Sequence, residues 1–373
     1  MKARHVALAC GATVALALMA LWLWNEEEAP TTPVAYVVCG YDLLGESRAY
    51  RVDLLAGELS GVSEPIAWLG QPHHLAYDPV HSRLYIASMN KKWSPPMWPV
   101  TALRARGGEF EVVNRFPTNR ENGLLEKARA GEKPPKRDRL NKHYVRMREA
   151  YSVIVSPDGS ELYMSYGRLS DTGMLTEVWD ADTGEVLRGL PTPIRSHYSW
   201  SPDGDRLASI WPSYDPAAER DWDVADVAFS GGIGVISTQS GEKSPLRHLE
   251  DNKGMHPPWG RIDEPFVYLF PGNSHLGMVR MYDRDTGEVL SELEVRQLTG
   301  LMPDGSPEIA VLEGGRLIAV SAFERTAPVE LKSPLSVAEQ EQSYVVLIDV
   351  LERREITRTQ VGSRCTNAVV AYE

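Results

Sequence analysis

The sequence predicts an all-β fold: a β-propeller of six blades, with a transmembrane helix at the N-terminus. Three observations predict it. Two kinds of hairpin alternate along the chain, the first hairpin lacks its opening strand, and an unpaired strand lies at the C-terminal end. Two hairpins make a four-stranded antiparallel sheet, and such sheets bury both faces when they stack around a ring.

The N-terminal element is an apolar run from Val6 to Trp24, which carries no charge. Lys2 and Arg4 precede the run and three glutamates follow it, so the basic end stays in the cytoplasm. The run is long enough to cross a bilayer. We therefore expect a signal anchor in residues 1–25, a linker in residues 26–33 and a propeller in residues 34–373.

This anchor would tether the protein to the inner membrane, with the propeller in the periplasm. Cleavage after Ala15-Leu16-Ala17 is the alternative, and it would leave a soluble periplasmic or secreted protein.

The first hairpin unit is a strand, a tight turn and a second strand. In its clearest copy, Tyr151–Val155 is followed by Ser156-Pro157-Asp158-Gly159 and then by Leu162–Ser165. Proline presets φ in such a turn and glycine supplies a positive φ. Further copies have their turns at Asp78-Pro79, Ser201-Pro202-Asp203-Gly204 and Glu313-Gly314-Gly315.

The second unit is a strand that ends in aspartate, three residues, then Gly-Glu and another strand. It is clearest at Asp180–Glu185 and Asp283–Glu288. Aspartate can bond the backbone of its own turn while glycine takes the left-handed position of a hairpin bulge. The remaining copies are Asp53–Glu58, Arg104–Glu109, Ser237–Glu242 and Asp349–Arg354, which makes six units. Met302–Gly305 leaves seven blades open as an alternative.

The ends of the propeller predict how the ring closes. Ala35–Cys39 matches a second strand without its innermost neighbour, and Asn367–Tyr372 matches an orphan innermost strand. Joining them would complete blade one and remove open sheet edges. Cys39 and Cys365 would then lie at the same end of the blade, where they form a disulfide or remain two buried thiols.

These motifs resemble the YVTN-type β-propeller repeat family, which carries a Ser-Pro-Asp-Gly turn, a Leu-Tyr-Val-like strand and an Asp-x-x-Thr-Gly turn. The resemblance covers nearly all of the chain after residue 34 and concerns fold more than function. The heavy subunit of quinoprotein amine dehydrogenase is similar at this level. In that family the quinone belongs to a separate small subunit, so the resemblance implies partner binding and no cofactor in this chain.

The strand directions place every tight turn on one face of the ring and the long connections on the other. Rigid scaffolds carry binding residues on such long loops. We predict a ligand site at the mouth of the central channel on the loop-rich face, since His74, Ser152 and His197 align at one repeat position. The alternative is that these histidines bond a neighbouring blade. The candidate ligand-binding residues are His73, His74, Tyr151, Ser152, Arg195, His197 and His256.

The same face carries an insertion, residues 118–148, that is basic although the whole chain has a net charge of −12. A basic arm on an acidic ring suggests docking to an acidic partner or a headgroup surface; a solvated helical insertion is the alternative. Tryptophan is enriched at interaction hot spots, although these rings could also cover blade edges. The candidate partner-binding residues are Trp93, Trp98, Lys136, Arg137, Arg139, Trp211 and Trp222.

The expected function is a non-catalytic binding or scaffold domain for a protein or small ligand. The acidic charge disfavours nucleic acid, and the sequence holds no nucleophile elbow, zinc helix, Walker loop, dinucleotide fingerprint or haem attachment motif. We assign no catalytic residue, no cofactor and no metal. A periplasmic enzyme or dehydrogenase subunit with a site at the channel mouth is the alternative.

Overall fold

The structure is a computed structural model. It describes residues 32–40, 47–66, 69, 71–89, 100–116, 150–166, 176–190, 197–200, 206–212, 231–238, 247–248, 266–269, 278–283, 286, 288–303, 310–312, 315–324, 342–363, 365–366 and 368–373. The predicted anchor, nearly all of the linker and the basic insertion 118–148 lie outside these ranges. Within them, no helix has the length and apolar character needed to cross a membrane.

The first three sheets are four-stranded and antiparallel. Sheet 1 contains β1 (Pro33–Cys39), β2 (Arg48–Asp53), β3 (Glu58–Val62) and β24 (Val369–Tyr372), and β24 lies beside β1. Sheet 2 contains β4 (Gln71–Asp78), β5 (Arg83–Met89), β6 (Val100–Arg106) and β7 (Glu109–Phe116). Sheet 3 contains β8 (Ala150–Val155), β9 (Glu161–Tyr166), β10 (Thr176–Asp180) and β11 (Val186–Leu190).

The next three sheets continue the same order along the chain. Sheet 4 contains β12 (His197–Trp200), β13 (Arg206–Pro212), β14 (Gly231–Ser237) and β15 (Arg247–His248). Sheet 5 contains β16 (Phe266–Leu269), β17 (Met278–Asp283) and β18 (Val289–Glu294), followed by the short helix α1 (Val295–Thr299). Sheet 6 contains β19 (Met302–Pro303), β20 (Ala310–Leu312), β21 (Leu317–Phe323), β22 (Gln342–Asp349) and β23 (Arg354–Ser363).

The aspartate turn of the second unit forms as its sequence predicts. Asp180 Oδ1 accepts hydrogen bonds from the backbone N–H groups of Asp182 (3.0 Å) and Thr183 (2.7 Å). Gly184 follows with a φ of 70°. Asp53 and Asp349 bond the equivalent backbone groups of their own turns.

The sheets pack face to face in chain order. Neighbouring residues of a strand point to opposite faces, so Leu84 packs towards sheet 1 while Tyr85 packs towards sheet 3. Apolar clusters fill five interfaces between sheets: 1 and 2, 2 and 3, 3 and 4, 5 and 6, and 6 and 1. The side chains between sheets 4 and 5 are not among those that the structure describes. This is a propeller-type arrangement of antiparallel sheets.

The C-terminal strand completes sheet 1, as the sequence predicts. Ala35 of β1 pairs with Val370 of β24, and Tyr36 pairs with Val369. A disulfide joins Cys39 to Cys365 at one end of this strand pair. Next to it, the Val38 N–H donates to Thr366 Oγ1 over 3.0 Å.

Met302 and Pro303, the basis of the seven-blade alternative, belong to sheet 6. They pair with Phe323 and Ala322 of β21, on the edge that β20 also uses. In the described part of the chain, this segment is the start of the sixth inner strand and opens no further sheet.

Candidate functional site

The two ends of the sheets differ, and we name them the turn face and the loop face. Hairpins of a few residues, at 54–57, 79–82, 107–108, 156–160, 181–185 and 350–353, close the turn face. On the loop face, the chain leaves β5 at Met89 and returns at Val100, and it leaves β7 at Phe116 and returns at Ala150. The long connections predicted from sequence therefore start and end on one side of the sheets.

Three of the predicted ligand residues share one register position on the inner strands. His74 pairs with Ala87, Ser152 pairs with Ser165, and His197 pairs with Ile210. These partners are each the fifth residue of a second strand, counted from Arg83, Glu161 and Arg206. The strands β4 and β8 contact each other, as do β8 and β12, so the position recurs on neighbouring inner strands near the loop face.

His74 connects two sheets. Its side chain is buried, and Nδ1 accepts a hydrogen bond from the Val153 N–H of sheet 3 over 3.3 Å. The neutral imidazole that accepts at Nδ1 carries its proton on Nε2. This contact is the blade-to-blade bond that the sequence offers as the alternative to ligand binding, and it occupies one of the two ring nitrogens.

Ser152 is also buried, with its Oγ 2.7 Å from Ser165 Oγ on the adjacent strand. Three further serines, Ser165, Ser88 and Ser321, are buried near the loop-face ends of their second strands, and the sequence does not single them out. No repeat motif marks them, since a serine inside an apolar strand resembles any small core residue. Buried hydroxyl and imidazole groups thus recur near the loop-face ends of the first and second strands, and both are groups that can donate and accept hydrogen bonds.

For three further candidates the structure describes the strand but not the side chain. His73 lies on β4, Tyr151 on β8 and Trp211 on β13. Ligand binding at the channel mouth therefore stays a prediction. The following candidates lie outside the described ranges: Arg195, His256, Trp93, Trp98, Lys136, Arg137, Arg139 and Trp222.

The described residues contain no group of three or more His, Cys, Asp or Glu side chains that could hold a metal ion.

Charged groups near the turn face are paired with each other and with buried tyrosines. Arg188 donates to Glu161 over 2.5 Å, and its hydrogen bond holds the pKa of the Glu161 carboxyl below its usual range. Tyr163 donates its O–H to the same carboxylate over 2.6 Å. Burial, reinforced by this bond, raises the pKa of Tyr163, so the phenol stays neutral.

A second network lies between sheets 1 and 2. Glu373 accepts from Tyr36 and from Arg51, whose Nη2 lies 2.8 Å from Glu373 Oε2. The Tyr36 ring stacks on Tyr77 with 5.1 Å between centroids. Burial and then the bond to Glu373 raise the pKa of Tyr36. This network joins sheet 1 to sheet 2 through the Tyr36–Tyr77 stack and the bond from Tyr77 to Glu373.

Comparison with known proteins gives the fold alone. No protein-family profile matches the sequence, and no curated protein matches it. The resemblance to the YVTN-type family therefore stays a prediction.

Several solved structures are similar in fold at low sequence identity. A protein of unknown function from Bacteroides caccae is 10% identical, with 92% of this chain and 100% of that chain covered and a TM-score of 0.52. Apo AztD from Citrobacter koseri is 14% identical over 91% and 98% of the two chains, with a TM-score of 0.44. Kuenenia stuttgartiensis hydrazine synthase is 16% identical over 75% of this chain, with a TM-score of 0.42, and the match spans 63% of that chain, less than two thirds.

Proposed function

We propose that this chain is a membrane-anchored, extracytoplasmic β-propeller that binds a protein or small ligand on its loop face and performs no catalysis itself. The observation that carries the proposal is the difference between the two faces. Tight hairpins close one face, while the connections of the other run from Met89 to Val100 and from Phe116 to Ala150. Long connections on a rigid scaffold are where binding residues concentrate.

The proposed ring has six blades and closes through β24. Its support is the five apolar interfaces between successive sheets, together with the pairing of β24 and β1. A ring removes the exposed edges and faces that a row of sheets would leave at its two ends. Closure requires one further contact, between sheets 4 and 5.

The extracytoplasmic location is supported by the disulfide between Cys39 and Cys365, since such bonds persist in oxidising compartments. The uncharged run from Val6 to Trp24 supports the membrane anchor. Together they favour the inner membrane with the propeller in the periplasm.

The basic insertion offers the sharpest test of loop-face binding. The tagged full-length chain and a Lys136→Glu, Arg137→Glu, Arg139→Glu variant would be purified from their native membranes, and bound proteins would be quantified by mass spectrometry. We expect a partner that the parent retains and the variant loses, because charge reversal repels an acidic surface.

The matched control carries the same change of charge on the turn face: Arg104→Glu, Arg106→Glu and Arg354→Glu. The first two residues lie at the end of β6, before its turn, and the third begins β23. The control should retain the partner. Loss from both variants would indicate nonspecific attraction, and retention by both would refute partner binding through this insertion.

A further inference from the structure

The chain enters the propeller on the turn face. Thr32 N–H donates to Glu373 O over 2.8 Å, and the reciprocal bond measures 3.2 Å. In the next pairs, Pro33 lies opposite Tyr372 and Val34 lies opposite Asp53, where the turn after β2 begins. Everything that precedes residue 32 is therefore attached at the edge of the turn face.

The linker is short compared with the sheets. Eight peptide steps separate Trp24 from Thr32, and a fully extended chain of that length spans at most about 28 Å. The seven residues of β1 cover about 23 Å from the turn face to the loop face. If residues 6–24 cross the bilayer, as the proposed function holds, the turn face is the side nearest the membrane.

In sheets 1 and 6, which lie next to Thr32, the second residue after the turn aspartate is a leucine. Leu55 is the second residue after Asp53, and Leu351 is the second residue after Asp349; they are 52% and 71% exposed. In sheet 3 the equivalent residue is Asp182, whose side chain is 71% exposed. The turn therefore accepts an acidic residue here, so its geometry does not require leucine.

Two further apolar residues are exposed on the same part of the turn face. Val80, in the turn between β4 and β5, is 57% exposed, and Tyr372, at the end of β24, is 50% exposed. With Leu55 and Leu351 they belong to sheets 6, 1 and 2, which surround Thr32. The other exposed large hydrophobic residues of the described chain lie on outermost strands at the rim: Leu59, Val62, Val186, Leu187 and Leu290.

We propose that the turn face rests on the lipid bilayer through Leu55, Val80, Leu351 and Tyr372. A tether of this length keeps the face at high effective concentration near the bilayer, so weak apolar contacts suffice to hold it. Leucine and valine enter the boundary between headgroups and acyl chains, and tyrosine suits that interface. The loop face then points away from the membrane, towards the compartment that holds its partner.

The test uses the full-length chain in phosphatidylcholine vesicles that contain lipids brominated near the headgroup. A fluorescent NBD label would be placed on Leu351→Cys or, as the matched site on sheet 3, on Asp182→Cys, both with Cys10→Ser. The native disulfide cysteines are buried and bonded, so they do not compete for the label. We expect brominated lipid to quench the label at 351 and to leave the label at 182 bright.

A second pair of variants tests the apolar contact itself. Leu55→Asp with Val80→Asp should abolish quenching at 351, since aspartate is the residue that sheet 3 carries at the leucine position. Leu187→Asp, on the rim, should leave quenching unchanged. Because the contact is apolar and the chain is acidic, added salt should not release it.

The possible outcomes distinguish failure of the membrane docking from failure of the anchor, which is part of the proposed function. Chains that float with the vesicles but show no quenching at 351 would refute the docking and leave the anchor standing. Chains that do not float with the vesicles would refute the anchor, and the docking with it. Absence of quenching together with Leu351-dependent crosslinking between chains would assign the patch to a second copy and refute lipid contact.

Discussion

Tyr36, Tyr85 and Tyr163 hold the same position in the second strands of three consecutive sheets. All three are fully buried and pack against the next sheet. Burial raises the pKa of each phenol, so each remains neutral. The hydroxyls of Tyr36 and Tyr163 donate to Glu373 and Glu161 near the turn face. At these two positions the tyrosine fills an interface with its ring and satisfies its own polar atom.

Gly107 and Gly108 allow two reasons for glycine in a turn, a positive φ and a lack of space for a Cβ, to be tested separately. Both have positive φ, 58° and 89°, but a Cβ on Gly107 meets nothing within 4 Å, whereas one on Gly108 would clash with the backbone oxygen of Ser60. We expect Gly107→Ala to lower the free energy of unfolding by about 1–2 kcal/mol, the strain of a left-handed residue. Gly108→Ala should lose about 1–3 kcal/mol more through the clash. Equal losses in urea unfolding would contradict this.

Asp349 predicts a pH dependence. The Glu352 N–H and then Arg316 hold the pKa of this buried carboxyl below its usual range, against the effect of burial. A carboxyl whose pKa is lower in the folded protein than in the unfolded protein stabilises the folded state at pH values above its unfolded pKa. This stabilisation is lost as the pH falls through the folded pKa. Asp349→Asn keeps an acceptor for the turn but loses the charge.

The variant should therefore be less stable at pH 7, with the difference shrinking below about pH 3.9, the ordinary value for aspartate. Glu352→Gln is the matched control. Glu352 bonds the same Arg316 but is half exposed, so this change should have little effect at either pH. Urea unfolding at pH 7 and pH 3 measures both variants, and a difference that grows in acid would contradict the assignment.

His74 allows a test of its structural contact. In His74→Leu the Val153 N–H loses its acceptor inside the sheet 2–3 interface, and an unsatisfied buried donor costs about 1–3 kcal/mol. His74→Asn places an oxygen near the Nδ1 position and should recover most of that stability. Equal stability of the parent and both variants would show that the contact contributes nothing.

At the scale of the element, local turn chemistry explains what could be predicted. An aspartate that bonds its own turn and a glycine with positive φ act within a few residues, so the sequence reveals them directly. Counting the hairpin units shows that blade one lacks its innermost strand. Supplying that strand from the C-terminus then places Cys39 and Cys365 at the same end of the blade. The contact of Gly108 with Ser60 and the division of the sixth inner strand into β19 and β20 depend on distant residues. A bond from His74 to a neighbouring blade was one of two alternatives from the sequence, but its partner, the Val153 N–H, also depends on distant residues.

The strand β24 should stabilise both interfaces of sheet 1. Val369 packs towards sheet 2 and Val370 towards sheet 6, while Ala368 and Ala371 are buried. Deleting residues 364–373 removes this strand together with the disulfide, so we expect a lower melting temperature and a less cooperative transition.

Cys39→Ser with Cys365→Ser is the control for the disulfide alone. It should cost about 2–5 kcal/mol and leave the transition cooperative. If the deletion melts as the parent does, β24 does not close the fold.

In the complete protein, the turn face and the loop face have different roles. On the turn face, aspartates close the hairpins, glycines allow neighbouring sheets to approach closely, and the Arg83–Asp182 ion pair joins sheets 2 and 3. The loop face carries the long connections, whose length local turn chemistry does not restrict. Recognition can therefore change on one face without disturbing the packing that the other provides.

Closure of the ring predicts the size of the particle. A compact domain of roughly 340 residues has a radius of gyration of about 20 Å. Six sheets stacked in an open row at about 10 Å each would instead form a particle about 60 Å long, whose radius of gyration exceeds that of a compact particle of the same mass. Small-angle X-ray scattering on residues 32–373 should therefore give about 20 Å. The variant without residues 364–373 loses the strand that joins the two ends of the chain, so its radius should rise while circular dichroism still reports strands. A parent radius well above this value would mean that sheets 4 and 5 are apart, and the propeller would then be an open arc.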